Sequence, residues 1–294
     1  MTFSIVAVDR KTGEAGFAIS SCSWDSGMVG RTEAGKGAVV SRARGITLLR
    51  DEFFKKTEAG YNISQIMEHF TKIDKGLEYR QLGMITQTEP GYSFTGKNCT
   101  KHAGHRTGED YAVQGNLLVT EEVLDDMAEA YENTAGSIIE RLYAALKAGD
   151  AAGGDARGKV SSRLCVTTSK TNWSGSDVVV DLRIEDHEEP VKELGRVLFK
   201  GLRLRDSFFL TGRLHGADGE EKLRVIHELE SFLDDKQDRA FIDAWRELAD
   251  AQLAQGQMEK AVETYRTYLK ISPNMRPRLS DEVQAGELPK EILE

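Results

Sequence analysis

From Thr2 to Val8 the chain is apolar or β-branched at almost every position. Phe3, Ile5 and Ala7 alternate with Val6 and Val8, so both faces of a strand here would be buried, as at the centre of a sheet. The run Asp9 to Glu14 has turn chemistry, and the small residues from Ala15 to Ser23 read as a second strand that closes a β-hairpin. Gly37 to Ser41 predicts a third strand. The period then changes. Leu48, Leu49, Phe53 and Phe54 predict one helix. Ile63, Ile66, Met67 and Phe70 form an i, i+3, i+4, i+7 stripe on another, with Asn62 as N-cap. Gln81 to Thr86 and Tyr92 to Thr95 flank Glu89, Pro90 and Gly91 as a second hairpin, and Tyr111 to Leu118 predicts a strand. Val123, Leu124, Met127 and Tyr131 mark a helix capped by Thr120, and Ser137 to Glu140 is a capping box that opens the next helix, which ends near Gly149. Val160 to Thr167 and Val178 to Ile184 predict two more strands. Pro190 opens a helix with Leu194, Val197 and Leu198 inward.

Strands joined by hairpins, with helices in pairs, predict an α+β fold of mainly antiparallel sheets packed face to face between helical layers. Beyond Gly212 the strand pattern stops. Ala244, Trp245, Leu248, Ala249, Gly256, Ala261, Tyr265, Leu269 and Pro273 follow a helix–turn–helix spacing that resembles a tetratricopeptide unit. The expected domains are therefore residues 1–212 and a small all-α helical-repeat domain at 213–294. One and a half repeats do not complete a core alone, so a homo-oligomer, or a protein partner recruited through the repeat, is expected.

Composition narrows the class. The chain has 294 residues, 39% hydrophobic and 30% charged, which suits a globular protein, and its formal charge of −9 disfavours nucleic acid and anionic lipid as partners. No apolar run reaches membrane-spanning length, and the N-terminus lacks signal-peptide features. The three cysteines, Cys22, Cys99 and Cys165, form no CxxC pair, which fits a reducing compartment. The expected location is the cytoplasm.

Four groups of residues could carry chemistry. Removal of Met1 would leave Thr2 with a free α-amine beside its hydroxyl. That amine, with an ordinary pKa of about 8, can act as the base for an N-terminal nucleophile. Many chains begin Met-Thr, so position alone says little. The second group runs from Ala103 to Asn116: a glycine-bracketed loop with His105 and Arg106, then a strand with Gln114 and Asn116 on one face and Gly115 between them. Amide side chains and backbone N–H groups suit an oxyanion site, and Arg106 suits a substrate carboxylate. Turn formation and loop satisfaction explain the same residues equally well. The third group is the Gly153 to Gly158 loop, where Asp155 and Arg157 could border a site or simply close a turn. Ser21, at the end of the second strand, completes the substrate-binding candidates. The fourth is a zinc reading of Cys99, His102 and His105, which lacks a fourth ligand. No metal or cofactor is expected.

Met1 to Ala7, Ala103 to Gly108 with Tyr111 to Asn116, Gly154 to Gly158, and Val180 to Ile184 with Asp186 and His187 together resemble the domain-of-unknown-function family 1028 over roughly residues 1–200. The resemblance implies a four-layer αββα architecture of the N-terminal-nucleophile (Ntn) hydrolase type, with a repeat-like C-terminal extension. It also implies Thr2 as nucleophile. Two departures stand out. Where that family usually carries Thr-Gln and then Asn-Pro after the third strand, this chain has Ser41, Arg42, Ala43, Arg44 and Gly45, and His102 replaces the usual aromatic before Ala103. Both places should border the pocket. The resulting expectation is an amidohydrolase acting on a small molecule or short peptide, with Thr2, His105 and Asn116 catalytic and Ser21, Arg106, Gln114, Gly115, Asp155 and Arg157 binding substrate. The rival is a catalytically silent scaffold with a protein-binding repeat.

Overall fold

The computed structural model describes residues 2–170 and 175–293. The chain divides into two compact units, Met1–Leu198 and Phe199–Glu294.

The first unit opens with the expected hairpin, β1 (Thr2–Asp9) and β2 (Glu14–Ser21). Next come β3 (Gly30–Glu33), β4 (Gly37–Arg42), α1 (Thr47–Glu58), α2 (Ile63–Ile73), β5 (Gln81–Thr86), β6 (Tyr92–Thr95), β7 (Gly104–Thr107) and β8 (Tyr111–Asn116). The helix pair α3 (Glu122–Asn133) and α4 (Ile138–Ala151) separates these from β9 (Ser161–Thr167) and β10 (Val178–Ile184), and α5 (Pro190–Gly216) follows. Among the described residues one sheet runs β10-β9-β2-β1-β8-β7 and the other β3-β4-β5-β6. Every neighbouring pair is antiparallel. β1 lies inside its sheet because it is apolar on both faces.

Alternation along each strand assigns the faces. Val6 and Val8 of β1 and Phe17 and Ile19 of β2 pack against Ala38 and Val40 of β4 and Ile85 of β5, so the two sheets bury these faces on each other. Gly30 makes room for this contact, since a Cβ there would sit 2.5 Å from the Phe17 ring. The alternate residues Val39, Leu82 and Met84 meet Phe53 of α1 and Ile66 and Phe70 of α2. On the other side α4 packs on β1 and β2, and α3 on β7 and β8. A Cβ at Gly149 would come within 3.1 Å of Phe3. The Asn62 and Ser137 capping boxes form, with Gln65 and Glu140 as their reciprocal partners. Thr120 does not cap α3: the N-cap position is Glu121, and no side chain bonds there. β3 and β7 are short strands of mostly polar sequence, without the apolar alternation that marks a strand in sequence.

The second unit is all-α. Beyond α5 it contains α6 (Gly219–Leu233), α7 (Ile242–Ala254), α8 (Met258–Ile271) and α9 (Arg276–Gln284). Leu229, Trp245, Leu248, Tyr265 and Leu269 share its core. Gly256, with φ 73°, takes the left-handed conformation that ends α7. Trp245 satisfies its indole N–H on the Lys236 carbonyl at 3.0 Å. Arg246 joins Asp250 at 2.8 Å to Glu282 at 2.9 Å. Among the described residues no helix is long and apolar enough to cross a membrane.

Phe17→Ala should cost about 3–5 kcal/mol, because it removes a ring from the close-packed space between the sheets. Urea unfolding followed by circular dichroism should show a lower midpoint at unchanged slope. A loss below about 1 kcal/mol would show that this interface is not the core.

Candidate functional site

The inter-sheet space changes character along its length. Apolar through Val6, Phe17 and Val40, it becomes polar toward the start of β1. Ser4 and Thr2 continue the Val6 face of β1 by alternation, as Ser21 continues that of Phe17, and Gln114 and Asn116 continue that of Ala112. Two buried amides span the gap. Gln114 donates to Ser4 Oγ on its own sheet, and its Oε1 accepts from Ser93 Oγ on the other at 3.2 Å. Gly83 leaves the space for it, since a Cβ there would lie 2.1 Å from the Gln114 amide oxygen. Gln81, on β5, reaches the opposite way. Its Nε2 lies 2.6 Å from the Gly115 carbonyl, 2.9 Å from that of Gly104 and 3.1 Å from Thr95 Oγ, and its Oε1 accepts from Asn116 Nδ2 at 3.0 Å.

Thr2 sits at this polar end. It pairs with Asn116 across the β1–β8 ladder. Its Oγ is 3.2 Å from Ser21 Oγ, which is 3.1 Å from Ser23 Oγ. Thr2 is half-buried, whereas Asn116 and Ser21 are buried. An amide nitrogen carries two N–H groups, and Gln81 takes only one from Asn116. The structure therefore brings Thr2, Ser21, Gln114 and Asn116 together. Met1, whose removal would free the Thr2 amine, lies outside the described residues.

A pocket of about 250 Å³ opens beside Asn116, lined also by Leu117, Ala43, Arg44, Tyr79 and Cys99. Thr2 is not among its lining residues; Asn116 is what the two share. Three lining residues hold left-handed backbone without being glycine: Ala43 at φ 47°, Arg44 at φ 60° and Leu117 at φ 51°. Such conformations cost about 1 kcal/mol or more each and cluster at functional sites. Burial pushes the Cys99 thiol up from its ordinary value, which favours the thiol over the thiolate.

The remaining candidates are placed elsewhere. Asp155 is buried and accepts from the Cys22 and Arg157 backbone N–H groups, each at 2.9 Å, which ties its loop to the end of β2. Arg157 stays beside it, with Nη2 at 3.3 Å. Gly115 offers its carbonyl to Gln81, and its missing Cβ makes room for Leu118. His105 stands on β7, separated from β1 by β8, or two strand spacings of about 5 Å each. Its Nδ1 meets Thr95 Oγ at 2.9 Å. Arg106 turns to the other face and pairs with Asp125 of α3, so neither Arg106 nor His105 adjoins Thr2. Among the described residues no three His, Cys, Asp or Glu side chains gather as a metal site, and Cys99, His102 and His105 are not brought together.

The family model described as "Family of unknown function (DUF1028)" matches residues 2–194. The chain belongs to the DUF1028 family. It is also similar to a crystal structure of the protein SPO2555 from Silicibacter pomeroyi, itself described by the DUF1028 model: 29% identity, a TM-score of 0.61, and coverage of 68% of this chain and 88% of that one. No curated protein matches the chain. This DUF1028 chain also carries two site residues that sequence reasoning did not select. Gln81 looked like the polar start of a strand. Arg42 was read only as part of the Ser41 to Gly45 stretch expected to border the pocket; it is only 2% exposed, and among the described residues nothing hydrogen-bonds its Nε, Nη1 or Nη2. The sequence signal for Arg42 is its parity with Ala38 and Val40 on β4.

Gln81→Leu should destabilise by roughly 2–5 kcal/mol, because it strands the buried Gly115 carbonyl, the half-buried Gly104 carbonyl and the Asn116 amide. A change below about 1 kcal/mol in urea unfolding would show that the seam does not depend on that amide. Burial first and the Arg106 charge second hold His105 below its ordinary pKa of 6.5. The folded state therefore binds this proton less readily than the unfolded chain does. Its stabilising effect is complete above pH 6.5 and is lost as pH falls through the lower folded value. An NMR titration should give His105 a midpoint below 6.5 that rises in Arg106→Ala, and a midpoint at or above 6.5 would refute this.

Proposed function

We propose that the protein is an N-terminal-nucleophile amidohydrolase that cleaves a C–N amide bond in a small molecule or short peptide. The reading rests on one observation: Thr2, the first described residue, stands half-buried on the inter-sheet face beside Ser21 and opposite the Asn116 amide. On this reading, removal of Met1 exposes the Thr2 amine. The amine takes the proton from Thr2 Oγ as the oxygen attacks the substrate carbonyl, then delivers it to the departing amine nitrogen. The spare N–H of Asn116 steadies the oxyanion. Water completes the cycle by hydrolysing the acyl-enzyme ester.

The packing of two antiparallel sheets between helix pairs supports an Ntn-type four-layer αββα assignment for the first unit. The positions of Trp245, Gly256, Tyr265 and Pro273 support a tetratricopeptide-like reading of the second, and repeats of this kind usually stack on neighbours, which supports a homo-oligomer or a protein partner.

Mass spectrometry of the intact protein should show Met1 absent. Thr2→Ala should then abolish turnover of an amide library, with little change in melting temperature, and Thr2→Ser should retain measurable activity. Retention of Met1 in active protein, or full activity in Thr2→Ala, would sink the mechanism. Retained Met1 without activity would favour the scaffold reading.

A further inference from the structure

The polar end of the inter-sheet seam holds a buried cation that has no hydrogen-bond or ion-pair partner among the described residues. Arg42 is the last residue of β4 and pairs with Gln81 across the ladder. Gln81 in turn holds Asn116 at 3.0 Å. Ser41, on the opposite parity, turns toward the start of α1, where its Oγ accepts from the Ile46 N–H at 3.3 Å. Arg42 therefore points with Ala38 and Val40 into the space between the sheets. The turn that follows is tightly closed: a Cβ at Gly45 would lie 2.1 Å from the Ser41 carbonyl oxygen. This fixes the backbone that presents Arg42.

We propose that Arg42 anchors the carboxylate of a ligand bound at the Asn116 end of the seam. Resting on the hydrolase reading above, this makes the substrate an N-acyl amino acid or a short peptide with a free terminal carboxylate. A buried, unpaired guanidinium is costly. A planar carboxylate recovers that cost through two parallel N–H···O bonds, which the guanidinium fork is shaped to make. Burial alone lowers the pKa of Arg42 to about 9. The pocket beside Asn116 is lined by Ala43 and Arg44, the two residues that follow Arg42, and not by Arg42 itself. Its lining contains no carboxylate, although the chain carries a formal charge of −9. Arg44 stands at its edge, exposed and 5.0 Å over the Tyr79 ring. Among the described residues Arg42 is the one buried cation, which matches a singly charged carboxylate; the second charge of a phosphate would meet no second one among them.

Isothermal titration of the full chain with N-acetylglycine and with its neutral amide, N-acetylglycinamide, tests this directly. The acid should bind at least about tenfold tighter, a difference of about 1.4 kcal/mol. Arg42→Gln should abolish the difference, and Arg42→Lys should restore part of it. Arg42→Gln removes an unpaired buried charge, so its melting temperature should not fall. If it nevertheless fails to fold, the wild-type preference and a shift of the Arg42 Nε–H NMR signal on adding N-acetylglycine carry the test. Four results would overturn the proposal: equal affinity for acid and amide, no binding of the acid at millimolar concentration, undiminished acid binding in Arg42→Gln, or tighter binding of inorganic phosphate. Turnover is scored separately. Arg42-dependent acid binding without hydrolysis of any N-acyl amino acid supports the anchor and defeats the hydrolase reading alone.

Discussion

The site hangs on a side-chain amide placed between two sheets. Packed sheets usually meet through apolar side chains, and most of this interface does, from Val6 and Phe17 across to Val40 and Ile85. At one end, Gln81 replaces that contact with hydrogen bonds to Gly104, Gly115 and Asn116. A buried amide is costly unless its groups are satisfied. Once satisfied, it fixes direction as well as distance, which an apolar contact does not. The register of β8 against β5, and so the orientation of Asn116 beside Thr2, follows from that arrangement.

The polar seam draws on features that stability alone would not select. Gly83 gives up a side chain so that Gln114 can cross. Ala43, Arg44 and Leu117 hold left-handed backbone around a pocket. Arg42 is buried without a partner among the described residues. Local rules broken together in one place are what a binding site looks like when the surrounding fold can hold the strain. Elsewhere in the first unit capping boxes form at Asn62 and Ser137, and apolar stripes turn inward on α1 and α2.

The DUF1028 match ends at residue 194, and the first compact unit ends at Leu198. The helical second unit therefore lies outside the family match. It has a core of its own around Leu229, Trp245 and Tyr265, and its ion pairs, such as Arg246 with Asp250 and Glu282, lie within it. Whatever it adds to function is added to a family domain that carries its own candidate site.

Element types were legible in sequence where one period dominated. The double-faced apolar run of β1, the stripe on α2 and the capping boxes are local patterns, because a residue and its neighbours within one turn or one pleat decide them. β3 and β7 were not legible. Their sequences carry no apolar alternation, and ladder pairing with β4 and β8 makes them strands. The site divides the same way. Gln114 and Asn116 could be singled out from chemistry and position, and Thr2 with the help of the family resemblance. That Arg106 turns to Asp125, that Asp155 ties its loop to Cys22, and that His105 stands two strands from Thr2 are facts of strand order and parity. Arg42 is the sharpest case. In sequence it is a charged residue among small ones, and charged residues are nearly always solvated. Only the closure of the second sheet over the first removes its water, and that burial is a property of two surfaces far apart in the chain.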